Sequence, residues 1–316
     1  VYKRQYPHLM PSPTPQIQYK KTLVIAIPEE PEGLDIQQVS WTNEIHDLIY
    51  QPLVVFDENM NMVCDLAVSW EVTDNGKSII FHLPQDAQFS SGNPITAQVI
   101  KDSIERYRQI SPYAEDFAVV SSIEIIDDYT VKLVCEEPPA YLWAVLITVY
   151  GAPVDVVSAR SMGNEQFNVE AIGSGPYKLK EWVHGSHIVL VRNDKYKTNL
   201  PFVENKGPNP YIDEVIIRFI PEDLTRISEL EAGNVDIVRG VPVDAVSRLM
   251  QNPDIKLYYT LQPGIDYIMV NVRKPPLDDV RVRKAIALAV DRDSLVQVLE
   301  NTSCLLYTSP SPRDRG

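Results

Sequence analysis

The chain has 316 residues, of which 44% are hydrophobic and 23% are charged. A chain of this length and composition can bury a sizeable core in one or two domains, which excludes wholesale disorder. The net charge of −14 argues against nucleic-acid partners and against a surface for anionic membranes, because both carry negative charge themselves.

The two ends of the chain differ from its middle. Residues 1–5 and 304–316 have no periodicity of their own and resemble translated sequencing-adapter sequence, with a natural disordered tail as the alternative. Prolines crowd the stretch before residue 18, which predicts a stiff, extended linker. Residues 1–18 are therefore interpreted as a foreign tag plus a Pro-rich linker. Such a linker often tethers an exported domain to a lipid-modified N-terminus.

The first half of the folded part alternates strands, helices and hairpins. Asp74-Asn75-Gly76 and Asp127-Asp128 supply turns, and Thr96 is a good N-cap residue. Asp102 and Arg106 are four residues apart and predict an ion pair along a helix. The predicted elements are a strand at Lys21–Ile27, a helix capped by Ser40 or Thr42, a hairpin over Leu66–Leu83, a helix after Thr96, and a hairpin over Ser122–Cys135.

The second half adds a third hairpin and further strand–helix alternation. His184-Gly185-Ser186 supplies the hairpin turn, and Gly233 suits the end of a helix. The predicted elements are the hairpin over Tyr177–Arg192, strands at Ile212–Ile220 and Val235–Val238, helices over Pro221–Ala232 and Pro242–Met250, strands at Ile255–Leu261 and Tyr267–Val272, and a helix over Asp279–Val290. Because hairpins occur beside the alternating elements, the pattern favours a mixed-sheet α/β fold.

Residues that often carry chemistry are few and scattered. The cysteines form no C-x-x-C pair, and Cys64 and Cys135 are interpreted as small buried hydrophobes, with a disulfide as the alternative. His184 and His187 are three residues apart in a predicted turn and are interpreted as solvated, with a metal site as the alternative. The sequence therefore predicts no catalytic residue, no metal site and no cofactor.

Five segments together resemble the family 5 extracellular solute-binding proteins, which serve peptide and nickel ABC importers. Their order and separations make the resemblance specific, and it spans nearly all of residues 20–303. The segments are DLAVSWEVTDNGKSIIFHL (65–83), FSSGNPITAQVIKDSIERY (89–107), GSGPYKLKEWVHGSHIVLVRNDKY (173–196), ELEAGNVDIV (229–238) and KPPLDDVRVRKAIALAVDRDSLV (274–296).

The resemblance implies an α/β, two-lobed periplasmic-binding-protein-like fold with mixed sheets. The first lobe would comprise residues 19–45 and 172–262, and residues 46–171 would form its extra subdomain. Residues 263–303 would begin the second lobe, and residues 304–316 would be the foreign tail. Members of the family run well beyond this point, so the second lobe is expected to be largely missing from this C-terminally truncated chain.

The function implied by the resemblance is extracytoplasmic solute binding without chemistry. The protein would be periplasmic, or lipid-anchored at the outer face of the cytoplasmic membrane, and would deliver peptides or a related small solute to ABC permease subunits. Its ligand class stays open, a nickel chelate included. The alternatives are a ligand-binding component of a sensor system and an exported hydrolase. Neighbouring permease genes would separate transport from sensing, and peptide turnover would favour the hydrolase.

The resemblance also points to a cleft-lining segment at residues 38–41 that includes Gln38, Ser40 and Trp41. Trp41 offers a flat apolar wall and an N–H donor, with a core aromatic as the alternative.

A second lining segment is expected at Arg239-Gly240. An arginine at a strand end can grip a ligand carboxylate through two hydrogen bonds, with a solvated or ion-paired arginine as the alternative. Tyr267 and Asn271 lie where the second lobe would begin. Tyr267 is expected to contact ligand, whereas Asn271 can equally satisfy local backbone.

Overall fold

The computed structural model describes residues 21–204, 207, 212–258, 269–291 and 294. The chain divides into two units, Val1–Gly240 and Val241–Gly316. The strands are β1 (Thr22–Ile27), β2 (Val54–Phe56), β3 (Met62–Cys64), β4 (Ser69–Thr73), β5 (Ser78–His82), β6 (Val120–Asp127), β7 (Thr130–Cys135), β8 (Tyr177–Val183), β9 (His187–Arg192), β10 (Glu214–Phe219) and β11 (Ile237–Val238). The helices are α1 (Glu44–Ile49), α2 (Ala97–Ile110), α3 (Ala140–Leu146), α4 (Val156–Met162), α5 (Asn164–Glu170), α6 (Asp223–Glu231), α7 (Val243–Leu249) and α8 (Val280–Ala289).

A five-stranded mixed sheet has the order β11-β1-β10-β9-β8. Strand β1 pairs in parallel with β10 and with β11, whereas β8, β9 and β10 pair antiparallel. Thr22 lies opposite Glu214, and Ile25 lies opposite Ile237. Because β1 has a parallel neighbour on each side, the carboxyl ends of all three strands meet at one edge of the sheet.

A four-stranded antiparallel sheet has the order β4-β5-β7-β6. Its inner face buries Phe81 and Leu133, and the helix α2 packs Ile100 and Ile104 into the same apolar core. Helix α2 begins after Thr96, whose side-chain oxygen accepts from the backbone N–H of Val99. The short hairpin of β2 and β3 stands beside this core and contributes to it.

Besides a small apolar cluster of Ala26, Ile220 and Val235, the described residues of the first unit form two large apolar cores. One surrounds the four-stranded sheet and the other lies on the five-stranded sheet with α1 and α5. Val99 and Ile172 are half-buried and pack against both cores, so the two are joined by direct apolar contact. The mixed sheets confirm the expected α/β class, while the segment boundaries proposed for the lobes stay predictions.

Most local predictions are confirmed. The three hairpins form with the expected turns, and helices follow Thr96 and span Val280–Ala289. Cys64 and Cys135 are both free thiols, and Cys135 is buried.

Three local predictions are wrong. Asn43, not Ser40 or Thr42, caps α1, because its Oδ1 accepts from the N–H of Ile45 at 3.1 Å. Asp102 pairs with Arg160, while Arg106 turns to another carboxylate. The described parts of the two late predicted strands, residues 255–258 and 269–272, have no strand conformation. The rest of both segments lies outside the described residues.

Candidate functional site

Two predicted lining segments meet at the carboxyl edge of the five-stranded sheet. The loop of residues 28–43 leaves β1 at this edge and carries the segment 38–41, and β11 ends there at Val238, directly before Arg239. Arg239 Nη1 donates to Glu44 Oε2 at 3.0 Å, so Arg239 is tied to the first residue of α1, shortly after the segment 38–41 in the chain. Open α/β sheets bind ligands beyond the carboxyl ends of their strands. The position therefore suits a ligand site.

A buried ion pair fixes the loop. Arg106 Nη2 meets Asp35 Oδ2 at 2.6 Å, with the Asp35 side chain fully buried, and Arg106 Nη1 donates to Gln37 Oε1 at 2.6 Å. Gln38 Nε2 donates to Asp35 Oδ2 at 2.7 Å and to the carbonyl of Asn164 at 2.9 Å. Both amide protons of Gln38 are thus used within the protein, which leaves its side-chain oxygen to meet a ligand.

Ser40 is held through its backbone. Its N–H donates to Glu32 Oε2 at 2.8 Å, and its carbonyl accepts from the hydroxyls of Tyr113 at 2.7 Å and Tyr150 at 3.4 Å. The next residue, Trp41, is half-buried, and its indole N–H makes no hydrogen bond to any residue that the structure describes. The backbone before Trp41 is therefore fixed while its polar atom remains available to a ligand.

Tyr113 and Tyr150 extend the aromatic surface beside this loop. Their rings meet edge to face, with centroids 5.9 Å apart, and Tyr113 is 41% exposed. The sequence analysis missed both residues because they lie far along the chain from Ser40 and carry no motif. Their hydroxyl groups donate to the Ser40 carbonyl, so what they add beside Trp41 is flat apolar surface.

Arg239 is already ion-paired, as the alternative interpretation expected. Its partner Glu44 lies one helical turn before Asp47. Desolvation and the Glu44 carboxylate raise the pKa of Asp47 to about 6, although the positive charge of Arg239 acts to lower it. A ligand carboxylate would have to compete with Glu44 for Arg239. The grip on a ligand carboxylate consequently stays a prediction.

Gly240 presents backbone rather than a side chain. Its φ of +71° lies in the left-handed region that glycine adopts readily. Its carbonyl accepts from Arg226 Nη2 at 2.7 Å. Arg226 is buried and was not predicted, because its partners are mostly backbone atoms that leave no pattern in a sequence.

His46 fixes the start of α1 from within. Its ring is fully buried, with Nε2 at 3.0 Å from the carbonyl of Gly33 and Nδ1 at 3.1 Å from the N–H of Asn43. Burial lowers the pKa of His46 to about 4 against the effect of these hydrogen bonds. The imidazole is therefore neutral near pH 7, with the proton on Nε2 donated to Gly33 and Nδ1 accepting from Asn43.

Asn271 and Tyr267 belong to the second unit. Asn271, in the second unit, is exposed, and its side-chain oxygen accepts from the N–H of Arg273 at 3.0 Å, so it satisfies local backbone. Tyr267 lies outside the described residues. His184 bonds to Glu30 at 3.0 Å, and among the described residues no group of three or more His, Cys, Asp or Glu is placed to hold a metal ion.

Solved structures of periplasmic binding proteins share this fold. The oligopeptide-binding protein AppA of Bacillus subtilis, solved with a nonapeptide, matches with a TM-score of 0.79 and 26% identity over 93% of this chain and 59% of its own. NikZ of Campylobacter jejuni, solved with Ni(L-His), matches with a TM-score of 0.73 and 26% identity over 89% of this chain and 56% of its own. The fold is that of a solute-binding protein.

The chain belongs to the bacterial extracellular solute-binding proteins of family 5, whose middle-region model matches residues 61–315. It is 29% identical over 291 residues to the probable D,D-dipeptide-binding periplasmic protein DdpA of Escherichia coli (strain K12). The match covers 88% of this chain and 54% of DdpA. The chain thus spans little more than half the length of its relatives. As a member of this family, the protein is extracytoplasmic. No helix in the described ranges is long and apolar enough to cross a membrane.

Proposed function

We propose that this protein captures peptides, or a related small solute, outside the cytoplasm and delivers them to the permease subunits of an ABC importer. The observation that carries the proposal is the ion pair of Arg239 with Glu44, which begins the helix that follows residues 38–41, at the carboxyl edge of the sheet in a chain of family 5. The Pro-rich stretch before residue 18 suits a tether between this domain and a lipid anchor.

The chemistry of the edge supports binding rather than turnover. The indole N–H of Trp41 can donate to a ligand carbonyl, and the side-chain oxygen of Gln38 can accept from a ligand N–H. Main-chain hydrogen bonds of this kind hold a peptide without selecting strongly for its side chains. The relatives named for peptides support that ligand class, and NikZ supports a metal chelate as the related solute.

Calorimetry on the purified full chain tests the proposal with defined probes. Trialanine, tetraalanine, a nonapeptide and Ni(L-His) are titrated separately, and the peptides are then examined by mass spectrometry. We expect stoichiometric binding of at least one probe and recovery of intact peptide. Cleaved peptide would favour the hydrolase alternative, and the absence of binding by all four probes would overturn the proposal.

Two tryptophan substitutions locate the site. Trp41→Ala should weaken binding at least about tenfold, which corresponds to ~1.4 kcal/mol, and should lower the melting temperature little. Trp70→Ala is the matched control, because Trp70 lies on β4 and packs against the other core. It should lower the melting temperature and leave the affinity unchanged. Unchanged binding in Trp41→Ala together with a large melting loss would make Trp41 a core residue only.

A further inference from the structure

The guanidinium of Arg226 lies at the carboxyl edge of the sheet with every one of its N–H groups in use. The Arg226 side chain is 2% exposed and projects from α6. A guanidinium has five N–H donors in a planar fork. Its five acceptors are the carbonyls of Arg239 (from Nε, 3.0 Å), Ile220 (from Nη1, 2.7 Å), Pro221 (from Nη1, 3.2 Å) and Gly240 (from Nη2, 2.7 Å), and the carboxylate of Asp223 (from Nη2).

The four carbonyls follow the ends of two strands, whereas Asp223 is the first residue of α6. Ile220 follows β10 and Arg239 follows β11, and β1 separates the two strands in the sheet. Arg226 therefore bridges the carboxyl ends of β10 and β11, which lie on opposite sides of β1. The N–H of Arg239 donates to the carbonyl of Ala26 in β1 at 3.0 Å, so both backbone polar groups of Arg239 are fixed.

A fixed backbone sets the direction in which a side chain leaves. The Arg239 side chain extends from this clamped peptide to Glu44 at the start of α1. Without the clamp, the carbonyls of Arg239 and Gly240 would lose their partner, and the peptide after Arg239, next to the permissive backbone of Gly240, would be held only through the N–H of Arg239. The direction of the Arg239 guanidinium thus depends on a buried neighbour that itself has no access to a ligand.

We propose that Arg226 is a positioning residue of the binding site, which acts on a bound ligand only through the Arg239-Gly240 segment. This inference rests on the proposed function, because it assigns that segment to the ligand site. The proposal adds Arg226 to the residues of the site, although neither the sequence pattern nor the surface of the edge points to Arg226.

Lysine is the discriminating substitution. Arg226→Lys keeps a positive charge beside Asp223 but has three donors on a flexible stem and no planar fork. It cannot reach four carbonyls and one carboxylate at once. Arg218→Lys is the matched control, since Arg218 lies on β10 of the same sheet and pairs with Glu229 at 2.6 Å at the surface.

Native-state trypsin cleavage of the full chain reports on the clamp without any ligand. Trypsin can cut the peptide bond after Arg239, and the carbonyl of that bond accepts a hydrogen bond from Arg226. Cleavage is followed by mass spectrometry well below the melting temperature. In Arg226→Lys we expect the bond after Arg239 to be cut at least about tenfold faster, and the bond after Arg192 in β9 to change less than twofold. In Arg218→Lys we expect no change at either bond. An equal rise at all sites, or no rise after Arg239, would overturn the positioning role.

The affinity for tetraalanine completes the test by calorimetry. Arg226→Lys should weaken binding about tenfold in the wild-type background and less than twofold in an Arg239→Ala background, since it acts through Arg239. Unchanged affinity, or an equal loss in both backgrounds, would overturn the proposal. If none of the probes of the proposed function binds the wild-type chain, that function is overturned, and the cleavage ratio still decides whether Arg226 anchors the segment.

Discussion

Acid should destabilise the fold through His46, whose buried ring is neutral at pH 7. Burial lowers the pKa of His46 from 6.5 to about 4. Between these values the unfolded chain binds more protons than the folded protein, so stability is complete above about pH 6.5 and is lost as the pH falls towards 4. One pKa unit corresponds to about 1.4 kcal/mol, and the free energy of unfolding should therefore fall by about 3 kcal/mol.

Asp47 acts in the opposite direction over nearly the same range. Its pKa is raised to about 6, so the folded carboxyl binds more protons than the unfolded one as the pH falls. The pH profile of the wild-type chain alone is thus a sum of opposing effects. Comparison with His46→Gln removes the contribution of Asp47, and glutamine at this third helical position can still reach the backbone N–H of Asn43.

Urea unfolding followed by circular dichroism, in half-unit steps from pH 7.5 to 4, measures the difference. The stability advantage of the wild type over His46→Gln should shrink by about 3 kcal/mol between pH 7 and pH 4. Asp47→Asn, which keeps His46, should make the acid loss of the whole protein steeper. A difference between wild type and His46→Gln that stays within about 1 kcal/mol across this range would refute the reasoning.

Two further substitutions test the packing around the candidate site by thermal unfolding. Asp35→Asn should lower the free energy of unfolding by about 3 kcal/mol, because it leaves the largely buried Arg106 without its carboxylate partner. Asp102→Asn should lower it by less than about 1 kcal/mol, because the partner Arg160 is largely exposed. Similar losses in the two variants would contradict the importance of burial. Gly173→Ala should cost more than about 2 kcal/mol, because its new Cβ would lie 2.1 Å from the carbonyl oxygen of Ile49. Gly185→Ala, with open space around it, should cost only about 1 kcal/mol, and the reverse order would refute the steric argument.

The hairpins were predictable because their signals are local. Asp74-Asn75-Gly76 lies between two apolar runs, and Asn75 adopts the positive φ of +56° that such a turn requires. The same holds for Thr96, whose side chain caps the helix that begins next to it. In each case the residues that fix the conformation are within a few positions of one another, so a pattern in the sequence contains the whole cause.

The candidate site was predictable only as segments. Residues 38–41 and Arg239-Gly240 came from the family resemblance, and the structure brings both to one edge. The partners of these segments were not predictable, because Arg106 reaches Asp35 across 71 positions instead of Asp102 across four. Arg106 pairs with Asp35 rather than with Asp102 because Asp35 lies in a buried loop, where a charge without a partner would be costly. Sequence spacing contains no information on that burial.

The order of the strands also bears on how the chain acquires its structure. Among the described strands, β1 pairs with β10 and β11, so Thr22 cannot pair until Glu214 has been synthesised. The four-stranded sheet closes over a much shorter stretch, between Ser69 and Cys135. Contacts across long stretches of chain form late because closing a long loop costs more entropy than closing a short one. A chain synthesised from its amino end would therefore complete the four-stranded sheet before β1 could pair with β10. The unpaired backbone edges and the apolar side chains of β1 would meanwhile be open to a chaperone.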